Sequence, residues 1–468
     1  MLRFIISAVL ALVAMTLPAA TAVQVSPGTL ESQLAEPDLV TDLALSGSVD
    51  ARDLFFIADK MPALKSLDLT SASIEAYEGP ALRSLVRYNE NELPAGVFAG
   101  SPLESVSFGT GRLTIGAAAF AGSRLRSISV PGECELGMGA FAGCGNLASA
   151  TIGAATVPDG AFAGCGSLKE VSAPVAVEIG ASAFRNCAVL GKFEASPGLR
   201  TIGADAFSGC AALASFDFPA TLTAICSSAF SGSGLSEVDL GGCRALTAIG
   251  GYAFSKCAAL RSVILPASLE RLESGLFFDC SSLRTVELPA SCAAIGNYAL
   301  KGCGTSWLDL PEATAYIGDY AMAGMNRLSD IYAHRVASVP ELGENVWACV
   351  DSPSVSLHVL DILYSDFSAA DQWQEFALVK VASADSIELS PRRQLRGRFA
   401  GNMLELDFGG LVACEAAVYD VSGIRLAAVG TRGMNGLSVD SSAWPGKVFI
   451  VSVTLADGKT VSLKLGRN

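Results

Sequence analysis

The sequence predicts a β-rich solenoid of stacked coils, followed by a small all-β module at the C-terminal end. Three observations predict it. A short phrase, Ala-Phe-x-x-Cys-x-x-Leu or a close variant, returns every 21 to 25 residues between Phe98 and Trp347. Within each period a run of alternating apolar and polar residues marks a short strand. Beyond about residue 397 the period stops and hairpin-type spacing replaces it. A fixed period in the twenties belongs to chains whose units bury their apolar faces only against their neighbours.

The repeat is anchored by Phe98, Phe120, Phe141, Phe162, Phe184, Phe207, Phe230, Phe254, Phe277, Leu300, Met322 and Trp347, which makes about 12 coils. An aliphatic stands five residues before each anchor, as at Ile115, Ile202 and Ile295. A Gly often follows it, as at Gly116, Gly203 and Gly296, which suits a tight turn or a positive φ. A Leu follows six residues after many anchors, and then a strand such as Val263-Ile264-Leu265, often ended by a Pro that has no amide to give to a ladder. Each coil is therefore expected to supply one short parallel strand and a return path that carries the aliphatic and the anchor inward. At about 4.8 Å per coil, a dozen units run roughly 55–60 Å.

The cysteines keep the same frame. Cys144, Cys165, Cys187, Cys210, Cys257, Cys280 and Cys303 all lie three residues after an anchor. Where Ser101, Ser123 and Ser233 take that place, the next Leu comes one residue sooner, so the position belongs to the bend. Neighbouring coils would bring such cysteines into disulfide range. The odd total of 13 and the small apolar character of the thiol favour reduced, structural cysteines. With 2 histidines in the chain and no Cys-x-x-Cys, a zinc site is not expected.

Composition narrows the function classes. The chain has 468 residues and a net charge of −14, which argues against nucleic acid and anionic lipid as partners. Arg3, the apolar run Phe4 to Leu17 and the small residues around Ala20-Thr21-Ala22 read as an export signal over residues 1–22. No later stretch has the length of a membrane helix. The expected location is therefore outside the cell, at the cell surface or free of it.

The phrase Leu-Pro-x-x-Leu-x-x-Ile-Gly-x-x-Ala-Phe-x-x-Cys-x-x-Leu, carried best by residues 198–218 and 245–310, resembles the BspA-like leucine-rich repeats of bacterial surface proteins. Asp38 to Ile74 is similar to that family's N-terminal cap, and Leu357 to Val381, with Tyr364, Trp373 and Phe376, to its closing segment. The organisation expected is a signal over 1–22, a cap and first repeats over 23–97, repeats over 98–350, a closing segment over 351–382, a linker over 383–397 and a β-sandwich over 398–468. In that last module, Tyr419-Asp420-Val421-Ser422-Gly423 and Trp444-Pro445-Gly446-Lys447-Val448-Phe449-Ile450 resemble the C-terminal sorting domains of type IX export, although the terminal Leu465-Gly466-Arg467-Asn468 departs from their usual ending. The repeat resemblance implies an adhesin-like role: binding a protein or glycan of a host or a neighbouring cell.

The candidate site follows from alternation along the strands. The second outward position reads Ser107, Ser129, Thr151, Ser172, Glu194, Asp217, Asp239, Ile264, Glu287 and Asp309. Glu194, Asp217, Asp239, Glu287 and Asp309, with Tyr332 beyond them, form a column that could bind a basic partner or hold Ca²⁺ weakly. The competing reading is a solvated face whose charges discourage association. No cofactor is implied. Gly-x-Ser-x-Gly, Walker and His-Glu-x-x-His motifs are absent from the sequence, so no enzyme is expected. The structural alternative is a surface spacer with no specific ligand.

Overall fold

The computed structural model describes residues 21–83, 85–381, 395–400, 403–407, 413–420, 424–431, 436–445, 448–455 and 460–466. The expected signal up to Ala20 and the linker from Ser383 to Gln394 lie outside them, as do the Val421–Gly423 and Gly446–Lys447 parts of the two sorting-domain-like segments. The chain divides into two compact units, one ending at Lys380 and one beginning at Val381.

The first unit is a β-solenoid of about 16 turns, roughly 75 Å long at about 4.8 Å per turn. Its main ladder is parallel and begins with Thr21–Val25, Asp42–Val49, Ser66–Ile74 and Ser105–Phe108, each paired with the next, with one register shift between Ala44 and Ser46. It continues through Ser127–Val130, Ser149–Ile152, Glu170–Ala173 and Lys192–Ala195, then Glu237–Asp239 onward to Ser356–Leu360 and Ala377–Val381. Turns beyond the dozen anchored coils come from the cap and the closing segment, whose strands pair without such an anchor. The cap adds a ten-residue helix, Ala51–Lys60, held by a capping box between Asp50 and Asp53. The buried Asp53 also accepts from the amides of Gly28 (2.7 Å) and Leu30 (3.0 Å), tying the incoming chain to the helix.

One strand per coil was expected, and the structure has two. The aliphatic five residues before each anchor lies in a second parallel ladder, with pairs such as Leu93 with Ile115, Ile179 with Ile202, and Leu272 with Ile295. These strands are only two or three residues long, too short for alternation to reveal.

The anchors form a continuous internal stack. Successive rings from Phe98 to Phe277 lie 5.1 to 6.0 Å apart in stacked pairs, and every one is fully buried. The apolar column continues as Leu300, Met322 and Trp347, and is closed by Trp373, Phe367 and Phe376. Around each anchor the backbone makes a third hydrogen-bonded ladder. The amides two before, at and two after Phe120 donate to Met138, Ala140 and Ala142 of the next coil at 2.9, 2.8 and 2.7 Å. The thiols complete it. Sγ–H of Cys144, Cys165, Cys187, Cys210, Cys257, Cys280 and Cys303 each donates to the carbonyl of the preceding coil's Phe, at 3.0 to 3.2 Å. The described cysteines are free, so the ladder is one of thiols.

The turn geometry corrects one expectation. The Gly four residues before the anchor does not sit at positive φ. It is needed because the previous coil passes close by: a Cβ on Gly203 would lie 2.6 Å from the Ala181 amide nitrogen. Left-handed backbone occurs instead two residues before and two after the anchor, for example at Ala118 (φ 54) and Gly122 (φ 68) around Phe120. Glycine fills many of these sites. Ala118, Tyr252, Tyr298 and Tyr320 do not, and each accepts a cost of roughly 1–2 kcal/mol.

The second unit pairs two antiparallel sheets. One has the order Arg396–Ala400, Met403–Asp407, Gly436–Asp440; the other Arg425–Gly430, Ala413–Asp420, Val448–Leu455, Thr460–Gly466. Leu404, Leu406, Val418, Phe449, Val451 and Val453 share one core, giving a small sandwich. The first strand, Arg396–Ala400, begins inside the segment expected to be linker, because its pairing with Met403–Asp407 is a tertiary matter that local polarity hides.

Three predictions follow from this packing. Phe207→Ala should destabilise the solenoid by about 3–5 kcal/mol in urea denaturation, since the ring is fully buried between two others. Gly203→Ala and Ala118→Gly should move stability in opposite directions: the first adds a Cβ against backbone, the second relieves left-handed strain and gains up to about 1 kcal/mol. If both destabilise, this account of the turn is wrong. Burial pushes the thiols of Cys187 and Cys303 up from 9.0 to about 12. Below pH 9 these thiols are protonated in both the folded and unfolded states, and their contribution is fully present. As pH rises from 9 towards 12 only the unfolded chain ionises, and stability falls by about 1.4 kcal/mol per pH unit for each thiol. The double variant Cys187→Ala/Cys303→Ala should flatten that alkaline slope in denaturation curves taken at pH 8 and pH 10.5.

Candidate functional site

The solvent face of the main ladder is where the sequence placed its site, and the strand register groups the outward residues there into three runs. Ser129, Thr151, Ser172 and Glu194 are paired neighbours, as are Asp239, Ile264 and Glu287, and then Asp309, Tyr332 and His358. Burial alternates as expected, with Val106, Ile128, Ala150, Val171, Val238, Val263 and Val286 turned into the core.

The column changes character along its length. Its first part is Ser and Thr: Ser105, Ser107, Ser127, Ser129 and Thr151 are exposed hydroxyl residues. In the middle, Glu194 is exposed but paired with Lys192 of the same strand at 2.6 Å. That hydrogen bond, helped by one to Ser172, holds the Glu194 carboxyl below the usual range. Asp217 is exposed on a segment that forms no strand. Asp239 accepts the amide of Gly241 at 3.0 Å and so closes a local turn. Ile264, 41% exposed, separates Asp239 from the exposed Glu287. Asp309 corrects the sequence reading: it is only 6% exposed, although its parity points outward. The reason is its neighbour, since the register sets the bulk of Tyr332 beside it in the next coil. The acidic residues therefore do not form a continuous stripe. Among the described residues no group of three or more His, Cys, Asp or Glu comes together to hold a metal ion.

The C-terminal end of the face is different. Tyr332 is half-buried and its ring stacks on His358 at 4.6 Å and 14°. His334 meets Tyr332 edge-on at 6.1 Å. His358 Nε2 lies 3.1 Å from Asp330 Oδ1, and Ser329 Oγ donates to Asp330 Oδ2 at 2.7 Å. Burial, then the charges of Asp330 and Asp309, push the Tyr332 phenol up. Trp307 is half-buried one coil earlier, in register with Asp330. His358 thus joins Tyr332 and Asp330 in one aromatic, polar patch, while His334, 1% exposed, lies buried beside Tyr332.

Sequence reasoning placed Tyr332 here but missed His358 and Asp330. The signal was available. Extending the outward column by two coils beyond Asp309 reaches Tyr332 and His358, and Asp330 is the other outward residue of the Tyr332 strand.

The coil geometry, with its inward Phe, its thiol-to-carbonyl bond and its close-approach Gly, repeats a single sequence pattern. That pattern matches the BspA type leucine rich repeat region in six copies, over residues 91–193, 177–305 and 247–368. The chain belongs to the BspA-type leucine-rich repeat family. Its solenoid is similar to a leucine-rich repeat protein from Bacteroides ovatus, with TM-score 0.55 and 21% identity, over 77% of this chain and 87% of that one. Two further structures match with lower scores. The pneumococcal vaccine antigen PcpA has TM-score 0.38 and 16% identity over 78% of this chain and 84% of its own. A leucine rich cell surface protein from Faecalibacterium prausnitzii has TM-score 0.35 and 19% identity over 66% of this chain and 86% of its own. No curated protein matches this BspA-type chain.

Proposed function

We propose that this BspA-type protein is exported and acts outside the cell as a binding module for a protein partner, which it contacts through the C-terminal end of its strand face. The observation that carries this reading is the gathering of Trp307, Asp330, Tyr332 and His358 at one end of the face. Partly buried aromatic side chains beside a polar group are what protein contact sites use for affinity. The apolar N-terminal stretch and the family resemblance to bacterial surface proteins support export. The C-terminal sandwich supports attachment or sorting at the surface through its Tyr419-Asp420 and Trp444-Pro445 segments.

We read the face as binding rather than catalytic. The His358–Asp330 pair lies on the solvent side of the strand ladder, and the Ser329 hydroxyl donates to the Asp330 carboxylate instead of to the imidazole, so the imidazole does not activate that hydroxyl as a nucleophile. The Ser and Thr half of the face supports a second role for that half, as a spacer that carries the patch away from its attachment.

The test is a binding screen of the mature chain, Val23 to Asn468, against a panel of purified extracellular-matrix and bacterial surface proteins. A partner found there should bind Tyr332→Ala/His358→Ala at least about tenfold more weakly, the loss expected for one hot-spot side chain. Ser129→Ala/Thr151→Ala should bind as the parent does. Equal binding by all three proteins would remove the patch from the contact, and a panel without any partner would leave the spacer as the role of the whole face.

A further inference from the structure

A second surface lies away from the strand face, on the turns that carry the anchors. Four consecutive coils each place an aromatic side chain there: Tyr252, Phe278, Tyr298 and Tyr320. Tyr252 is 40% exposed and the other three are half-buried. Tyr298 and Tyr320 stack at 5.4 Å and 2°, and Tyr252 meets Phe278 at 6.2 Å. Lys301 joins the two pairs, its Nζ lying 5.6, 5.4 and 5.8 Å from the rings of Phe278, Tyr298 and Tyr320. Gly275 stands where the second of these coils has no tyrosine. The row is not interrupted there, because a Cβ on Gly275 would lie 2.2 Å from the Tyr252 ring, which already covers the place.

The packing of the coils does not require these rings. The three tyrosines stand two residues before an anchor, in left-handed backbone at φ 59, 61 and 53. Ser182 and Ser228 fill the same turn of earlier coils at φ 55 and 56. Left-handed backbone costs any side chain energy, so the rings are held there against their own preference. Polar groups border them along the chain. Asn297 and Asp319 directly precede Tyr298 and Tyr320 and fix each other: Asn297 Oδ1 accepts the Asp319 amide at 3.0 Å, and Asn297 Nδ2 donates to Asp319 Oδ2 at 3.2 Å. Asn345 Nδ2 donates to the Tyr320 hydroxyl at 3.1 Å. Asp279 directly follows Phe278, and its Oδ1 reaches over the next coil, 2.6 Å from where a Cβ on Gly302 would stand.

We propose that this aromatic row binds a neutral, extended, β-linked polysaccharide, at a surface separate from the strand-face contact. The charges decide the class, because an ion of either sign meets a like charge here. The cation-binding place over three of the rings is filled by Lys301 itself, which repels a basic segment. Asp279 and Asp319 at the borders repel an acidic chain. A neutral sugar meets neither obstacle. Its C–H groups pack on aromatic carbon, and its hydroxyls bond to the phenol, amide and carboxylate groups held beside the rings. The coil spacing decides the shape. The rings recur once per coil, at about 4.8 Å per step along the axis. A ligand that repeats along a line meets successive rings in the same way. An extended β-linked hexose chain does so, whereas a coiled α-linked chain turns away from the row.

The test is calorimetric titration of the full mature chain, Val23 to Asn468, with cellohexaose, β-mannohexaose, maltohexaose and a heparin hexasaccharide. At least one of the two β-linked hexaoses should bind, and maltohexaose should bind at least about tenfold more weakly. Tyr252→Ser/Tyr298→Ser/Tyr320→Ser introduces the side chain that Ser182 and Ser228 carry at the same turn. It should weaken the bound hexaose at least about tenfold while the chain keeps a cooperative melting transition. Tyr252→Ser alone changes the most exposed ring, and should weaken binding several-fold with an unchanged melting temperature. Tyr332→Ala/His358→Ala on the strand face should bind the hexaose as the parent does. The proposal is overturned if neither β-linked hexaose binds, if the heparin hexasaccharide binds in their place, or if the triple serine variant binds like the parent. A loss confined to the strand-face variant would move the sugar to that face and overturn it as well. Equal binding of maltohexaose would overturn the extended-chain assignment.

Discussion

Every coil of the solenoid is completed by its neighbour, and the rest of the structure depends on that constraint. A coil of some 21 to 25 residues is too small to bury an apolar side chain or to satisfy its own backbone. Three parallel ladders answer this: the main strands, the two- or three-residue strands before the anchor, and the bonds at the anchor itself. Inside them the rings of Phe98 to Phe277 lie on one another. The thiols belong to the same logic. The Phe120 carbonyl accepts the Ser123 amide within its own coil and the Cys144 thiol from the next, so the cysteine fills an acceptor site while occupying the space of a small apolar residue.

This arrangement constrains the backbone tightly and the surface hardly at all. Inward positions are fixed by stacking, and the Gly before each anchor by the close passage of the previous coil. Outward positions need only tolerate a strand. They therefore vary from coil to coil, from the hydroxyls of the first part, through the Lys192–Glu194 pair, to the Tyr332–His358 stack. A solenoid of this kind gathers functional groups by register, from residues some 20 to 30 positions apart in sequence, as with Asp330 and His358.

The two ends break the repeat and therefore need other means of closure. At the first end the buried Asp53 organises a helix and the entering chain. At the other end Trp373, Phe367 and Phe376 cover the apolar column. Closing a column with bulky rings and an irregular turn leaves concave surface behind, and an acidic cavity beside Trp347 and Gln372 is located at that junction.

The sequence by itself determined the coil: its period, the inward anchor, the thiol position, the outward parity of the main strands, and the change to an antiparallel module near the C-terminal end. These are legible because one local pattern, repeated many times, averages out the ambiguity of any single copy. Tertiary structure alone decided the rest. The second ladder is too short for alternation to reveal. The role of Gly203 is set by an amide one coil away, and the burial of Asp309 by a tyrosine one coil on. His358 joins Asp330 and Tyr332 only through register. The cavity beside Trp347 exists because the closing segment folds back over the last coil. Local sequence reports which way a side chain points along its own strand, while contact across coils depends on stacking, which no single coil encodes.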